Sequence, residues 1–150
     1  MALRPILLHP DPRLRAACAP VGAVTDEVRA LAADMLETMY AAPGRGLAAP
    51  QVGEGVRLFV MDVDWKEGAP SPVVAIDPEI VTASEEVEAG EEACLSIPGR
   101  PMTVRRPAGV TMRWTDARGV RADHRLTGAA ARCAQHELDH LDGVLILDRT

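Results

Sequence analysis

The segment CAQHELDH, residues 133–140, places two of the chain's four histidines four positions apart. In an α-helix such residues are rotated by about 40° and rise by about 6 Å, so His136 and His140 project from one face. Both imidazoles can then bind one metal ion, and Glu137, about 100° around the helix, can reach a water molecule at that metal. The segment therefore predicts a C-terminal helix that carries a hydrolytic metal site. The alternative is a solvent-exposed helix with incidental histidines, because HExxH also occurs by chance.

A catalytic metal needs a third protein ligand and an open position, and spacing alone leaves that ligand undecided. Only ten residues follow His140, with Asp142 and Asp148 as acidic candidates. Upstream, Cys94 in GEEACLSIPG offers a thiolate, a soft donor suited to zinc or iron. Cys94 could equally be a small buried hydrophobic residue. We expect Cys133, on the same helical face as the histidines, to line a pocket beside the site.

Composition bounds the class of protein. A chain of 150 residues with 47% hydrophobic and 25% charged residues suits one globular domain spanning 1–150. The formal charge of −6 argues against direct nucleic-acid binding, which needs clustered Lys and Arg. No apolar run reaches membrane-spanning length, and no signal-peptide core is seen, so we expect a cytoplasmic protein that does not bind membranes. Three cysteines without an export signal then indicate reduced thiols.

The order of helical and extended patterns predicts the fold class. Apolar residues at helical spacing in 24–44 predict a helix, with Thr25 as N-cap and Gly44 just past its end, and Thr127 is a candidate cap for the HExxH helix. Extended segments are predicted at 57–63, 73–81, 86–99, 109–115, 120–126 and 144–148, with a hairpin turn at 116–119. Helices and strands do not alternate regularly. The prediction is an α+β fold with antiparallel or mixed sheets around a central C-terminal helix.

Three motifs in one order carry a family resemblance. GRGLAAPQ (44–51), EACLS (92–96) and QHELDHLDG (135–143) resemble the three signature motifs of peptide deformylases. The resemblance spans nearly the whole chain and agrees with an α+β fold. It implies a metal-dependent hydrolase that removes the N-formyl group from the initiator methionine of nascent polypeptides. The reaction would proceed through attack by a metal-bound hydroxide.

The resemblance also implies a role for each motif residue. Cys94, His136 and His140 would be the metal ligands, and Glu137 would be the general base and acid. The side chain of Gln51 and the main-chain N–H of Leu95 would stabilise the oxyanion. An extended peptide can pair with backbone that lacks bulky side chains, so we expect substrate contacts from the first motif and the pocket wall. These residues are Gly44, Arg45, Gly46, Leu47 and Cys133.

The cofactor implied by the resemblance is one divalent metal ion. Fe²⁺ is expected in the cell, with Zn²⁺, Ni²⁺ or Co²⁺ as other occupants. The expected partners are N-formylmethionyl peptides. Many relatives continue into a further helix associated with ribosome docking, and this chain stops at Thr150. We therefore expect the catalytic core without that docking element, as a monomer or weak homo-oligomer.

The motifs depart from the family pattern at two positions. Ala93 stands where the family has glycine, so its methyl group would strain a backbone of positive φ or narrow the site. Arg45 stands where an apolar residue is common, and could meet a substrate carboxylate or a nearby acidic residue. A salt bridge between Arg106 and Glu92 is also predicted, as a structural feature.

Three alternatives to the active deformylase remain open from the sequence. A relative of low activity could hold formylated peptides and metal without efficient turnover, because of Ala93 and Arg45. A zincin-type peptidase would cut internal amide bonds, although a suitable downstream ligand is lacking. A structural zinc site would need four protein ligands, with Cys133 as the fourth.

Overall fold

The computed structural model describes residues 2–150. Within these residues the chain forms two α-helices, seven strands and three short 3₁₀ helices. The helices are α1 (Asp26–Ala41) and α2 (Gly128–Leu141). The strands are β1 (Gly46–Ala48), β2 (Leu58–Met61), β3 (Val73–Ala83), β4 (Val87–Cys94), β5 (Ile97–Pro107), β6 (Gly109–Thr115) and β7 (Arg121–Thr127). The 3₁₀ helices are Pro12–Arg15, Ala49–Val52 and Ile146–Asp148.

A five-stranded antiparallel sheet in the order β1-β2-β3-β6-β7 lies between the two helices. Successive side chains of a strand point to opposite faces of the sheet, so strand β2 can contact both helices. Leu58 and Val60 pack with the buried side of α1, while Phe59 and Met61 pack with α2. Strands β4 and β5 form a separate antiparallel pair. The predicted α+β class with a C-terminal helix is confirmed.

The helix ends follow the sequence signals in part. The Thr25 side chain accepts a hydrogen bond from a main-chain N–H in the first turn of α1, at 3.3 Å. Beyond the other end, the Gly44 N–H donates to the Met39 carbonyl at 2.8 Å. Thr127 occupies the N-cap position of α2, but its side chain makes no capping hydrogen bond with any residue of 2–150. The predicted N-cap position of Thr127 is confirmed, but a capping contact from its side chain is not seen within residues 2–150.

The predicted strand at 144–148 is wrong. Ile146–Asp148 is a 3₁₀ helix, and the Asp148 carboxylate accepts a hydrogen bond from the Leu145 N–H at 2.9 Å. Leu145 and Ile146 are buried with Val104 of β5. The apolar run thus reflects burial against the β4–β5 pair and not pairing in a sheet. Strand β1, only three residues long, was not predicted.

Neither helix within the described residues has the length and apolar character needed to cross a membrane.

Candidate metal centre

Three potential metal ligands meet where the end of β4 reaches α2. The Cys94 sulfur lies 3.4 Å from Nε2 of His140, and that nitrogen lies 3.2 Å from Nε2 of His136. All three ligand atoms lie within 4.8 Å of one another, and all three residues are buried. The structure therefore brings together the thiolate and the two imidazoles that the sequence motifs single out.

These distances suit a single tetrahedral ion. Metal–nitrogen bonds of about 2.0–2.1 Å and a metal–sulfur bond of about 2.3 Å separate two nitrogens by about 3.3 Å, and sulfur from nitrogen by about 3.6 Å. The separations of His140 Nε2 from His136 Nε2 and from the Cys94 sulfur are within a few tenths of an ångström of these values. One thiolate with two imidazoles is a donor set for zinc, ferrous iron and similar ions. Cys133 instead directs its sulfur to the Arg45 carbonyl oxygen, at 3.6 Å. Three protein ligands would leave one position open on a tetrahedral ion, as a catalytic metal requires.

Glu137 lies beside this group and has one ion-pair contact among residues 2–150, with His136. Its Oε2 is 4.0 Å from Nε2 of His136, and its Oε1 is buried without a hydrogen-bond partner among the described residues. The carboxylate approaches the main chain of Gly46 so closely that a β-carbon there would lie 2.5 Å from Oε2. Burial raises the pKa of Glu137 to about 7, against the opposing effect of nearby His136. A carboxyl group with a pKa near neutrality can both accept and return a proton.

Glu92 is the buried carboxylate on the other side of His136. It accepts a hydrogen bond from Nδ1 of His136 at 2.9 Å, two from Arg106 at 2.6 and 2.9 Å, and one from Arg132 at 2.8 Å. Burial alone would raise the pKa of Glu92, but the hydrogen bonds from His136 and Arg106 lower it to about 2. The predicted Arg106–Glu92 salt bridge is confirmed. Its consequence was missed: an ionised carboxylate behind the ring orients Nε2 toward the metal position.

The pKa values of the two imidazoles are shifted in opposite directions. Burial would lower the pKa of His136, but the charge of Glu137 and the contacts with Cys94 and Glu92 raise it to about 10. For His140, burial and the charge of His136 lower the pKa well below its usual value. His140 is therefore neutral near pH 7, and a metal ion at this position would have to displace a proton from His136.

Gln51 is held by a second set of hydrogen bonds. Its Oε1 accepts from the Ala48 N–H at 2.9 Å, and its Nε2 donates to Ser96 Oγ at 3.0 Å. Nε2 also lies 3.7 Å from the Cys94 sulfur. The amide nitrogen of Gln51 is therefore fixed beside the metal position. Ser96 was not among the predicted site residues, although it ends the EACLS motif.

A cavity of about 530 Å³ opens beside the ligands, and its lining includes several residues predicted to contact substrate. These are Gly44, Arg45, Gly46, Leu95 and Cys133. The Leu47 side chain is fully buried against α1, so the substrate contact predicted for this residue stays a prediction for its main chain.

The two departures from the family pattern have plain structural outcomes. Arg45 donates to Glu67 at 2.6 Å and also to the Val63 carbonyl, so it meets a nearby acidic residue. Ala93 is exposed at the rim of the cavity. Asp77 is the only described non-glycine residue with a positive φ. Ala93 therefore lacks the positive φ that would strain its backbone.

Three side chains that could hold one metal ion, beside a buried carboxylate with an oxygen that has no hydrogen-bond partner among residues 2–150, form an arrangement suited to an enzyme that activates water. The class of protein is therefore a metal-dependent hydrolase. The polypeptide deformylase family profile matches residues 3–150. The chain belongs to this family.

Individual relatives agree with the family match. A peptide deformylase of Rhodopseudomonas palustris is 53% identical over 150 residues, covering 99% of this chain and 86% of that protein. One from Rhizorhabdus wittichii is 50% identical over 153 residues, with the same coverage of both chains. The crystal structure of peptide deformylase from Thermotoga maritima superposes with a TM-score of 0.93 at 42% identity, covering 99% of this chain and 98% of that one. The predicted family and its activity, removal of the formyl group from nascent peptides, are confirmed.

Proposed function

We propose that Cys94, His136 and His140 hold one divalent metal ion and that Glu137 transfers the protons in hydrolysis of N-formylmethionyl peptides. When bound, the metal supplies a lowered pKa for a coordinated water and polarisation of the formyl carbonyl. The observation that carries the proposal is the buried Glu137 carboxylate, 4.0 Å from His136 Nε2, with an oxygen that has no partner within the described residues.

Glu137 accepts the proton of the attacking water and then delivers it to the departing amine. Its pKa of about 7 suits both directions of transfer near neutral pH. Gly46 keeps the carboxylate in place, because any larger residue would occupy its position. The proton-transfer role is thus supported by both the environment and the position of one side chain.

Gln51 and Leu95 stabilise the negative charge that develops on the formyl oxygen. The Gln51 amide is oriented by Ala48 and Ser96, so its second N–H, which makes only the long contact to sulfur, is available to substrate. Leu95 lies in the turn that joins β4 to β5, directly after the Cys94 ligand. Each such donor is worth about 3 kcal/mol of the activation barrier.

The peptide lies along the outer edge of β1. Among the described strands, β1 pairs with β2 alone, at the end of the sheet. The cavity is lined by Gly46, the first residue of β1, and by Gly44 and Arg45 just before it. An extended peptide can pair with such an edge through its main chain. The methionine side chain then occupies the cavity near Leu95 and Cys133.

Fe²⁺ is the metal we assign in the cell, with Zn²⁺, Ni²⁺ and Co²⁺ as alternatives. A thiolate with two imidazoles is compatible with all four ions, so the donor set does not choose between them. The protein acts in the cytoplasm on N-formylmethionyl peptides, as a monomer or weak homo-oligomer. It makes no direct contact with nucleic acid.

The test is formate release from formyl-Met-Ala-Ser by iron-loaded protein under low oxygen. Glu137→Ala is expected to retain one equivalent of metal and to lose activity by about 10²- to 10⁴-fold. Glu88→Ala, at an exposed position of β4, is the matched control and is expected to keep wild-type activity.

Three results would contradict the proposal. Turnover that survives in Glu137→Ala removes Glu137 from its role. Tight binding of the formylated peptide by the wild type without formate release indicates a binding protein. Cleavage of an unformylated peptide indicates a peptidase.

A further inference from the structure

Lys66 is the only lysine in the sequence, and it lies at the rim of the cavity beside the metal centre. It belongs to the loop between β2 and β3, and its side chain is exposed. The proposed reaction gives this residue no task.

The two arginines that line the cavity are each paired with a glutamate. Arg45 is paired with Glu67 at 2.6 Å, and Arg132 is paired with Glu92 at 2.8 Å. Lys66 forms no ion pair with any residue of 2–150, and its ammonium nitrogen lies 5.7 Å from the centre of the Trp65 ring. An ammonium group at this position is thus available to an anionic group of a ligand.

The loop that carries Lys66 is fastened to the residues just before β1. Arg45 binds both Glu67 and the Val63 carbonyl, and the Trp65 Nε1–H donates to the Gly44 carbonyl at 2.9 Å. The Trp65 ring also packs edge-on against Tyr40, at 5.2 Å between centroids. Lys66 is therefore held next to the backbone along which the extended peptide is proposed to lie.

We propose that Lys66 is a specificity-determining residue that favours formyl-peptides with a carboxylate side chain in the first two positions after methionine. The inference rests on the proposed function, since it assumes that the peptide runs along β1. Glu91, on the β4 side of the rim, is also exposed and forms no ion pair within the described residues. Successive side chains of an extended peptide point to opposite sides. Lys66 and Glu91 would therefore face neighbouring residues of the peptide and not the same one.

The experiment compares kcat/KM for formyl-Met peptide amides, whose blocked C-terminus leaves the side chain as their only carboxylate. The set contains formyl-Met-Glu-Ala-amide, formyl-Met-Ala-Glu-amide and the glutamine analogue of each, with formyl-Met-Ala-Ala-amide as the neutral substrate. Wild type is expected to prefer glutamate over glutamine by about two- to fivefold at one of the two positions, the strength of an exposed ion pair. High salt is expected to weaken the preference.

Two substitutions test the residue itself. Lys66→Met is expected to bring the glutamate-to-glutamine ratio to about one, and Lys66→Glu to invert it, with the change mainly in KM. Arg118→Glu, in the exposed turn between β6 and β7, makes the same change in net charge at a residue that does not line the cavity, and is expected to keep the wild-type ratio.

An unchanged ratio in Lys66→Glu overturns the inference, as does an equal inversion in Arg118→Glu. Failure of the wild type to release formate from the neutral peptide would instead refute the proposed function. Turnover of the neutral peptide without any response of the ratio to Lys66 refutes only the specificity role.

Discussion

Two buried glutamates flank His136, and their surroundings make them chemically different. Glu92 accepts hydrogen bonds from His136, Arg106 and Arg132, and its pKa is about 2. Glu137 faces the bare backbone of Gly46, and its pKa is about 7. Both side chains are buried, but hydrogen bonds from His136 and Arg106 lower the pKa of Glu92, whereas burial raises the pKa of Glu137. The first carboxylate is held in its charged form, and the second is suited to exchange a proton near neutral pH.

The paired side also continues away from the metal position. Arg106 donates to Asp139 at 2.9 Å, and Asp139 accepts two hydrogen bonds from Arg149, at 2.8 and 3.0 Å. This chain of ion pairs links β4, β5, α2 and the C-terminal residues. The Glu92 side of His136 is therefore held by a network of charged hydrogen bonds. On the Glu137 side, a carboxylate oxygen without a partner among the described residues can accept a hydrogen bond from a substrate or water.

The largest effect is expected from Arg106→Met. The substitution leaves Glu92 and Asp139 buried without their shared partner, which costs about 3–5 kcal/mol of unfolding free energy. Urea denaturation at fixed metal loading measures the loss. Arg105→Met, one residue away on β5 with an exposed side chain, is the control and is expected to change stability by less than about 0.5 kcal/mol. Equal losses in the two variants would show that the buried network contributes no special stability.

Glu92→Gln tests whether the paired carboxylate supports the metal ligand. Glutamine still accepts a hydrogen bond from His136 Nδ1 but removes the negative charge, so metal affinity is expected to fall about 10- to 100-fold. Competition with a chelator of known affinity measures this. Glu88→Gln, on the same strand with an exposed side chain, should bind metal as the wild type does. Unchanged affinity in Glu92→Gln would separate the ion-pair network from metal binding.

Gly46→Ala tests the unpaired side. The new methyl group would lie 2.5 Å from Glu137 Oε2 and 2.8 Å from the Cys133 sulfur, so the carboxylate must move. We expect kcat to fall roughly tenfold with little change in metal content, because catalytic groups tolerate small displacements poorly. Gly55→Ala is the control, since a β-carbon there meets nothing within 4 Å. A kcat equal to that of Gly55→Ala would mean that the position of Glu137 is not set by Gly46.

The sequence predicted what local geometry determines. His136 and His140 could be paired because helical spacing fixes their relation, and the order of the motifs added Cys94. The contact of Glu92 with His136 joins residues 44 positions apart, and no spacing rule reveals such a pair. The reason for glycine at position 46 is likewise a tertiary contact. At 144–148 an apolar run was interpreted as a strand, because burial against β5 produces the same pattern.

The smallest effect is expected at Ala93, the position where the sequence suggested strain. Its φ is not positive, and its methyl group is exposed at the rim of the cavity beside the register shift between Glu92 and Cys94. Replacement by glycine removes no buried contact and relieves no strained backbone, so the rate of formate release is expected to change by less than about twofold. A rise well beyond that in Ala93→Gly would show that the methyl group obstructs the substrate. The alanine would then limit this site by narrowing its entrance, and the contrast between the two glutamates would not be sufficient to explain its activity.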